Sequence, residues 1–192
     1  ELAHYAKKTS DIEFEYPWGW GELEGIANRG NYDLNAHQES SGKDMRYFDP
    51  NSDNKFTPSV IEPAGGLTRT LFAVLLSLYE EEELEKEVRT LFKFKFDLAP
   101  IQIGILPLSK KEELIEVCNV IKSELGSYFR TEIDVTQSIG KRYRRQDEIG
   151  TPYCVTVDFD TLEDKAVTVR DRDTMSQDRI KIEDIKSYFD NM

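Results

Sequence analysis

From residue 98 onward the chain repeats one pattern: a short apolar stretch suited to a strand, then an amphipathic stretch long enough for a helix. Few architectures accept that alternation. Ile101, Ile103 and Ile105 mark the first strand, and residues 110–125 form a helix with Leu114, Val117, Cys118, Ile121 and Leu125 on one face. Gly126 supplies its stop. Residues 128–134 read as a second strand and 138–149 as a second helix. Residues 153–159 and 166–172 read as two more strands, and 181–190 as a closing helix. Strand–helix–strand–helix–strand–strand–helix predicts a three-layer α/β domain with a mixed sheet.

The first 70 residues have another texture, rich in Gly, Asn, Tyr and Trp and poor in helical periodicity. Ile12, Phe14 and Tyr16 alternate with acids, the period of a half-buried strand. Residues 18–26 read as a further strand, in which Gly19, Gly21 and Gly25 leave room for a close approach to the backbone. Residues 49–54 are a turn by composition. Residues 55–62 then form a strand that stops at Pro63 and the Gly65-Gly66 pair, and 67–79 an apolar helix with Leu71, Leu75 and Leu78 on one face. The first half is therefore expected to be antiparallel sheet. The acidic run at 80–87 reads as a solvated helix face leading into a linker, or as an acidic docking patch. The domain junction is expected at 93–99.

Bulk composition removes several functions. The net charge of −12 argues against nucleic-acid binding through overall charge, though not through a local basic patch. With a mean hydropathy of −0.57 and a longest apolar run at 71–79, no membrane-spanning helix is expected. The chain opens on no secretory leader, and Cys118 and Cys154 are too few for a disulfide framework. A cytoplasmic protein is the simplest expectation, with both cysteines as small core residues. His4 and His37 are isolated and read as structural or exposed.

Two segments could carry chemistry. In the first, an apolar strand delivers Glu62 to its end, Gly65 and Gly66 open the backbone, and Arg69 follows in the first helical turn. That order sets a carboxylate for a cationic group and an arginine beside an anion or aromatic base; a capped helix after a glycine turn explains it as well. The second runs Ser138-Ile139-Gly140-Lys141-Arg142-Tyr143-Arg144-Arg145-Gln146, four bases and no acid. At about 100° per residue, Ile139 and Tyr143 share a face while Lys141, Arg144 and Arg145 point away from it. The charged side would meet phosphates, or it is a surface helix neutralised by Asp147 and Glu148. The alternating run Thr168-Val169-Arg170-Asp171-Arg172-Asp173 reads as local salt bridges.

Those residues lie inside longer stretches that resemble one family. Tyr16-Pro17-Trp18-Gly19-Trp20-Gly21-Glu22-Leu23-Glu24-Gly25-Ile26-Ala27-Asn28-Arg29, Val60-Ile61-Glu62-Pro63 through Arg69, Ser138 through Pro152 and Val169-Arg170-Asp171-Arg172-Asp173-Thr174-Met175 follow in collinear order. Together they resemble the C-terminal portion of bacterial-type, homodimeric glycyl-tRNA synthetases. The resemblance implies that residues 1–95 are the later part of a class II catalytic domain, an antiparallel sheet with helices, and 96–192 an α/β anticodon-binding domain. It implies ATP contacts from Glu22, Leu23, Gly66, Leu67, Thr68 and the catalytic Arg69, with Glu22 also helping to hold Mg²⁺. Glycine would lie against Glu62, Pro63, Ala64, Gly65 and Gly66, with Glu62 facing its ammonium; the family usually carries serine at the position of Ala64. Lys141, Arg142, Arg144, Arg145 and Arg172 would bind the anticodon arm of glycine tRNA, Arg142 and Arg172 through bases. The implied parent is a homodimer that activates glycine with ATP and transfers it to the tRNA 3′ end. The first two class II motifs would lie upstream of Glu1, so the chain alone is expected to be an inactive fragment. The alternative is a non-catalytic tRNA-binding or accessory module that reuses the same folds.

Overall fold

The computed structural model describes residues 4–85, 87–190 and 192. It divides into two compact units, Glu1–Ser77 and Leu78–Met192.

The first unit is built on a three-stranded antiparallel sheet. Strand β1 (Lys8–Tyr16) pairs with β2 (Gly19–Gly30) through a tight reversal at Pro17-Trp18, and β2 pairs on its other edge with β5 (Val60–Gly65). Between them come helix α1 (Tyr32–Ser41) and the small hairpin β3 (Tyr47–Asp49) and β4 (Asn54–Phe56), whose turn is the expected one at 49–54. Helix α2 (Leu67–Leu78) follows β5 directly. Alternation along the strands separates the two faces of the sheet. Phe14 and Tyr16 lie on one face, where Tyr16, Trp18 and Phe72 of α2 stack with centroids 5.1–6.1 Å apart. Register places Asp11, Glu22, Gly25, Ala27, Arg29, Glu62 and Ala64 on the other face.

The second unit holds a five-stranded mixed sheet of order β12-β11-β10-β8-β9. It begins with a hairpin, β6 (Tyr79–Glu83) and β7 (Val88–Phe92). Then follow β8 (Ile103–Pro107), α3 (Glu112–Leu125), β9 (Thr131–Ile133), α4 (Ile139–Ile149), β10 (Tyr153–Val157), α5 (Asp160–Asp164), β11 (Ala166–Asp171), β12 (Gln177–Lys181), a short 3₁₀ turn and α6 (Ile185–Phe189). β9, β8 and β10 run parallel, whereas β11 and β12 are antiparallel additions. The three-layer mixed-sheet expectation holds. On one side Ile103, Ile105, Val155, Val157, Val167 and Val169 pack against Leu114, Cys118, Ile121 and Leu125 of α3 and Ile185 and Phe189 of α6. On the other, the same strands turn Gly104, Cys154, Thr156 and Arg170 toward α4.

Three sequence expectations change. The acidic run is neither helix nor linker: Glu80 and Glu82 point from β6 toward Lys93 at 2.8 and 3.3 Å, and Glu82 also meets Arg89 at 2.8 Å. The division expected at 95/96 therefore falls earlier, between Ser77 and Leu78, because Arg89 fixes this hairpin to the second unit through Asp147. The strand expected at 55–62 is two strands in two sheets, broken at Thr57-Pro58-Ser59.

Both cysteines are core residues, and burial pushes each thiol up to about 12. Neither is expected to react with a thiol reagent at neutral pH until the second unit unfolds, because the thiolate is the nucleophile. Rapid labelling of the native chain would contradict that burial.

Candidate functional site

The candidate site of the first unit lies on the polar face of the β1–β2–β5 sheet. Its floor is bare. A Cβ placed on Gly25 would stand 3.2 Å from Glu22 Oε1 and 3.7 Å from Asp11 Oδ1, so two carboxylates reach over this glycine. A bulge puts Glu22 opposite Glu13 and leaves Leu23 outside the pairing. Like charges directly opposite destabilise a sheet, an arrangement at odds with a purely structural surface.

Glu62 stands across from Ala27 on β5. Its Oε2 accepts a 2.7 Å bond from Arg29 Nη1, while Arg29 Nε and Nη2 grip both oxygens of Asp33 at 2.6 and 2.7 Å. The guanidinium carbon of Arg29 lies 4.1 Å over the Tyr5 ring. The bonds from Asp33 and then Glu62 hold Arg29 above its ordinary pKa, and Arg29 in turn holds Asp33 below the usual carboxylate range. Beyond β5, the Gly66 carbonyl accepts the first bond of α2 from Thr70 at 2.9 Å. That start turns Arg69 back over the sheet, where its Nη1 donates to the Glu22 carbonyl at 2.5 Å. Arg69 thus meets the Glu22 carbonyl, Gly65 pairs with Glu24 beside it, and Glu62 lies further along the sheet, opposite Ala27 of β2. Leu67 is 85% exposed at the head of α2.

Among the described residues no three His, Cys, Asp or Glu side chains gather closely enough to hold a metal ion. Glu22 and Asp11 both reach over Gly25, and Mg²⁺ is commonly held by one or two carboxylates with substrate phosphates completing its shell. The donor set fits that mode.

In the second unit the site is α4. Lys141 is exposed and, among the described residues, has no hydrogen bond or ion pair. Arg144 is 30% exposed; it bonds Glu87 through Nε at 3.0 Å and lies 3.5 Å from Asp147. Arg145 bonds Asp134 Oδ2 at 2.8 Å and the Thr136 hydroxyl at 2.8 Å. Burial opposes the charge on Asp134, yet the bonds from Thr136 and Arg145 outweigh it and hold the carboxyl low. A cleft of about 490 Å³ lies in the first unit beside His4, Tyr5, Arg29 and Tyr32, and one of about 460 Å³ in the second beside Lys141, Tyr143, Arg144, Arg170 and Met175.

Comparison with known proteins bears on the second unit first. Residues 102–192 match the family model described as an anticodon binding domain. The glycine–tRNA ligase of Lachnospira eligens is 57% identical over 192 residues, all of this chain and 41% of the relative. That of Clostridium acetobutylicum is 55% identical over 191 residues, 99% of this chain and again 41% of the relative. Over its whole length the chain is similar to glycine–tRNA ligases. It spans about two fifths of the length of the relatives it matches. Two solved structures share the fold at low identity. The RNA binding domain of threonyl-tRNA synthetase from Cryptosporidium parvum Iowa II aligns with a TM-score of 0.69 at 21% identity, over 99% of this chain and 44% of that one. Prolyl-tRNA synthetase from Cryptosporidium parvum, complexed with L-proline and AMP, gives 0.68 at 20%, over 100% and 39%.

Two of the RNA-binding candidates are corrected by their burial. Arg142 is 2% exposed: its Nε and Nη2 donate to the Gln137 carbonyl at 3.2 and 3.0 Å, and Nη1 reaches the Pro107 carbonyl. Arg172 is 3% exposed, clasping both oxygens of Asp173 at 2.8 and 3.0 Å and the Gly150 carbonyl at 2.9 Å. Both guanidinium groups are turned inward and fix the ends of α4. The inward face of α4 carries Arg142, Gln146 and Asp147 as well as Tyr143 of the expected Ile139–Tyr143 face, because the sheet beneath it is polar. Tyr143 lies beside them, its hydroxyl 2.5 Å from that of Thr156. Sequence reasoning assigns no role to Arg29 or Asp11. Arg29 closes the stretch that begins at Tyr16 and Asp11 opens the alternating strand, but only strand register brings them to Glu62 and Glu22.

Proposed function

We propose that this chain supplies part of the active site and the anticodon-binding domain of a glycine-activating ligase. The observation that carries the reading is the bond from Arg69 to the Glu22 carbonyl on the sheet that also carries Glu62, in a chain 57% identical to a glycine–tRNA ligase. Glycine presents an ammonium and a carboxylate and no side chain. Glu62 would receive the ammonium, held in place by Arg29 from the side, and the small residues Gly25, Ala27 and Ala64 would let the substrate approach the sheet closely. Arg69 would lie against ATP, its planar guanidinium suited to stacking on the base and to bonding phosphate oxygens. Mg²⁺, when bound, would neutralise phosphate charge beside Glu22. One glycine carboxylate oxygen then bonds to the α-phosphorus as the bond to the pyrophosphate oxygen breaks, and pyrophosphate departs. The chain's own contribution is to position the two substrates and to oppose the charge that develops. In the second step a hydroxyl oxygen of the tRNA terminal adenosine bonds to the glycyl carbonyl carbon as the bond from that carbon to the phosphate oxygen breaks, and AMP leaves with the hydroxyl proton passed to its phosphate or to water.

The test is a chimera in which this chain replaces the matching part of the Lachnospira eligens ligase. It is expected to support glycine-dependent ATP–pyrophosphate exchange and homodimer formation. A soluble chimera that binds tRNA without exchange would favour the accessory-module alternative, for which Ala64 in place of serine is the point in favour.

The second unit would bind the anticodon arm of glycine tRNA, with Lys141, Arg144 and Arg145 on phosphates. Arg144→Ala/Arg145→Ala in the whole chain is expected to weaken binding of an anticodon stem-loop about equally for all loop sequences. The slope of log affinity against log salt should flatten by about 0.7–0.9 for each phosphate left without its cation. Unchanged affinity and slope in a titration over several salt concentrations would return α4 to a neutralised surface helix.

A further inference from the structure

Of the three outward cations of α4, Arg144 alone is capped from outside. The residues of the hairpin turn between β6 and β7 bring Glu87 over it: the Leu84 amide donates to the Glu87 carbonyl at 2.9 Å, and the Glu87 carboxylate bonds Nε and Nη2 of Arg144. Below, Asp147 approaches the Nη1 of the same guanidinium at 3.5 Å. Arg144 is therefore aimed by a buried carboxylate and covered by an exposed one, the Glu87 side chain being 54% exposed. Glu87 also lines the cleft with Lys141, Tyr143, Arg144, Arg170 and Met175. No side chain answers Lys141 across that cleft among the described residues, and a Cβ on Gly140 would meet nothing within 4 Å, so the space beside the first turn of α4 is open.

We propose that this cleft seats one RNA backbone phosphate between Lys141 and Arg144, and that Glu87 holds the anion position until RNA displaces it. The proposal rests on the RNA-binding reading of the second unit and adds a residue to it. The position of Glu87 is not accidental to the hairpin's fold. Two residues on, Arg89 is anchored on Asp147 at 2.9 Å, so the carboxylate that aims Arg144 also holds the turn over it. Displacement is feasible because exposed ion pairs are weak and screened, and Asp147 keeps Arg144 in place after Glu87 leaves. Entry of RNA is then an exchange of one anion for another. This lowers the affinity of α4 for stray polyanions without removing a cation.

The experiment titrates the whole chain with a glycine-tRNA anticodon stem-loop, and with a hairpin of unrelated loop sequence, at several salt concentrations. Glu87→Gln is expected to tighten binding about two- to fivefold, the range of an exposed pair, and to steepen the salt slope by about 0.7–0.9. The gain should be equal for both RNAs, since phosphate contacts carry no sequence. Glu85→Gln, which removes the same charge from the same turn, should leave affinity and slope unchanged. In an Arg144→Ala background Glu87→Gln should have no effect. A gain that Glu85→Gln reproduces, or that survives Arg144→Ala, would overturn the seat and assign the effect to bulk charge. Binding by the wild type with no gain in Glu87→Gln overturns the seat alone; absence of binding by every form overturns the RNA reading beneath it.

Discussion

Asp147→Ala is expected to destabilise the second unit by about 3–5 kcal/mol, the usual consequence of removing one partner from a buried ion network. Asp147 is fully buried and accepts from Arg89 Nε at 2.9 Å and Arg170 Nη1 at 3.0 Å, and Arg89 is fully buried as well. Alanine would leave two guanidinium groups in the interior without their shared anion. Arg89 would retain Glu82 at 2.8 Å and the Arg172 carbonyl at 2.6 Å; Arg170 would retain only the face of Tyr143, 4.9 Å away. Domains of this size are stable by about 5–15 kcal/mol in total, so the variant stands near the edge of folding. Urea unfolding reads the effect with an internal control, because the two tryptophans, Trp18 and Trp20, both belong to the first unit. Their fluorescence transition should stay in place while the far-ultraviolet dichroism of the second unit moves. A shift under about 1 kcal/mol would mean that the network contributes little. Replacing Arg89, Asp147 and Arg170 together by apolar residues of similar volume should restore much of the loss, since no uncompensated charge then remains. By the same physics, cutting the chain at residue 97 removes Arg89 and should yield a weaker domain than cutting at 78.

Arg69→Ala in the chimeric ligase should lower glycine-dependent exchange by about 10²–10³-fold, the range for loss of one preorganised charge-stabilising donor. Arg69 is exposed in the first unit and its single bond goes to the Glu22 carbonyl, so the fold should survive the change. Arg69→Lys keeps the charge but loses the planar fork, and should recover only part of the rate. The split matters: a rise in the KM for ATP with kcat retained would place Arg69 in ground-state binding alone. Wild-type exchange in Arg69→Ala would show that the first turn of α2 is not where ATP lies.

What the sequence discloses follows from where burial is apolar. Ile103, Ile105, Leu114, Ile121 and Val155 lie in a core whose period is written in hydrophobicity, and β8, α3, β10 and β11 are legible for that reason. Strand β12 is not. Its Gln177-Asp178-Arg179-Ile180-Lys181 has one apolar residue because it is the sheet's edge, held by Arg179 on Asp158 and Asp164. Helix α1 buries none of its residues and carries no apolar stripe to announce it. Hairpin β6–β7 escapes a sequence reading because a run of glutamates signals solvent, whereas alternate members answer Lys93 and Arg89 across the strand. At the sites, Glu62, Gly65-Gly66 and Arg69 are readable as a carboxylate, glycines and an arginine in order. Which base of α4 turns inward is not, since that depends on the carbonyls of Gln137, Pro107 and Asp134 lying beneath it.

The five-stranded sheet has one oily side and one wired side, and the two age differently under mutation. Beneath α3, swaps among Ile, Val, Leu and Met that conserve volume shift stability by less than about 1.5 kcal/mol and are absorbed where they occur. Beneath α4 every partner is chosen by direction as well as by size. Gln146 answers the Thr151 hydroxyl at 2.6 Å, Arg142 a loop carbonyl, and Asp147 two arginines from different strands. A change there cannot be absorbed locally; it turns or frees the helix that carries the outer cations. Neutral drift can therefore rewrite one side of this sheet while the other is held nearly letter by letter.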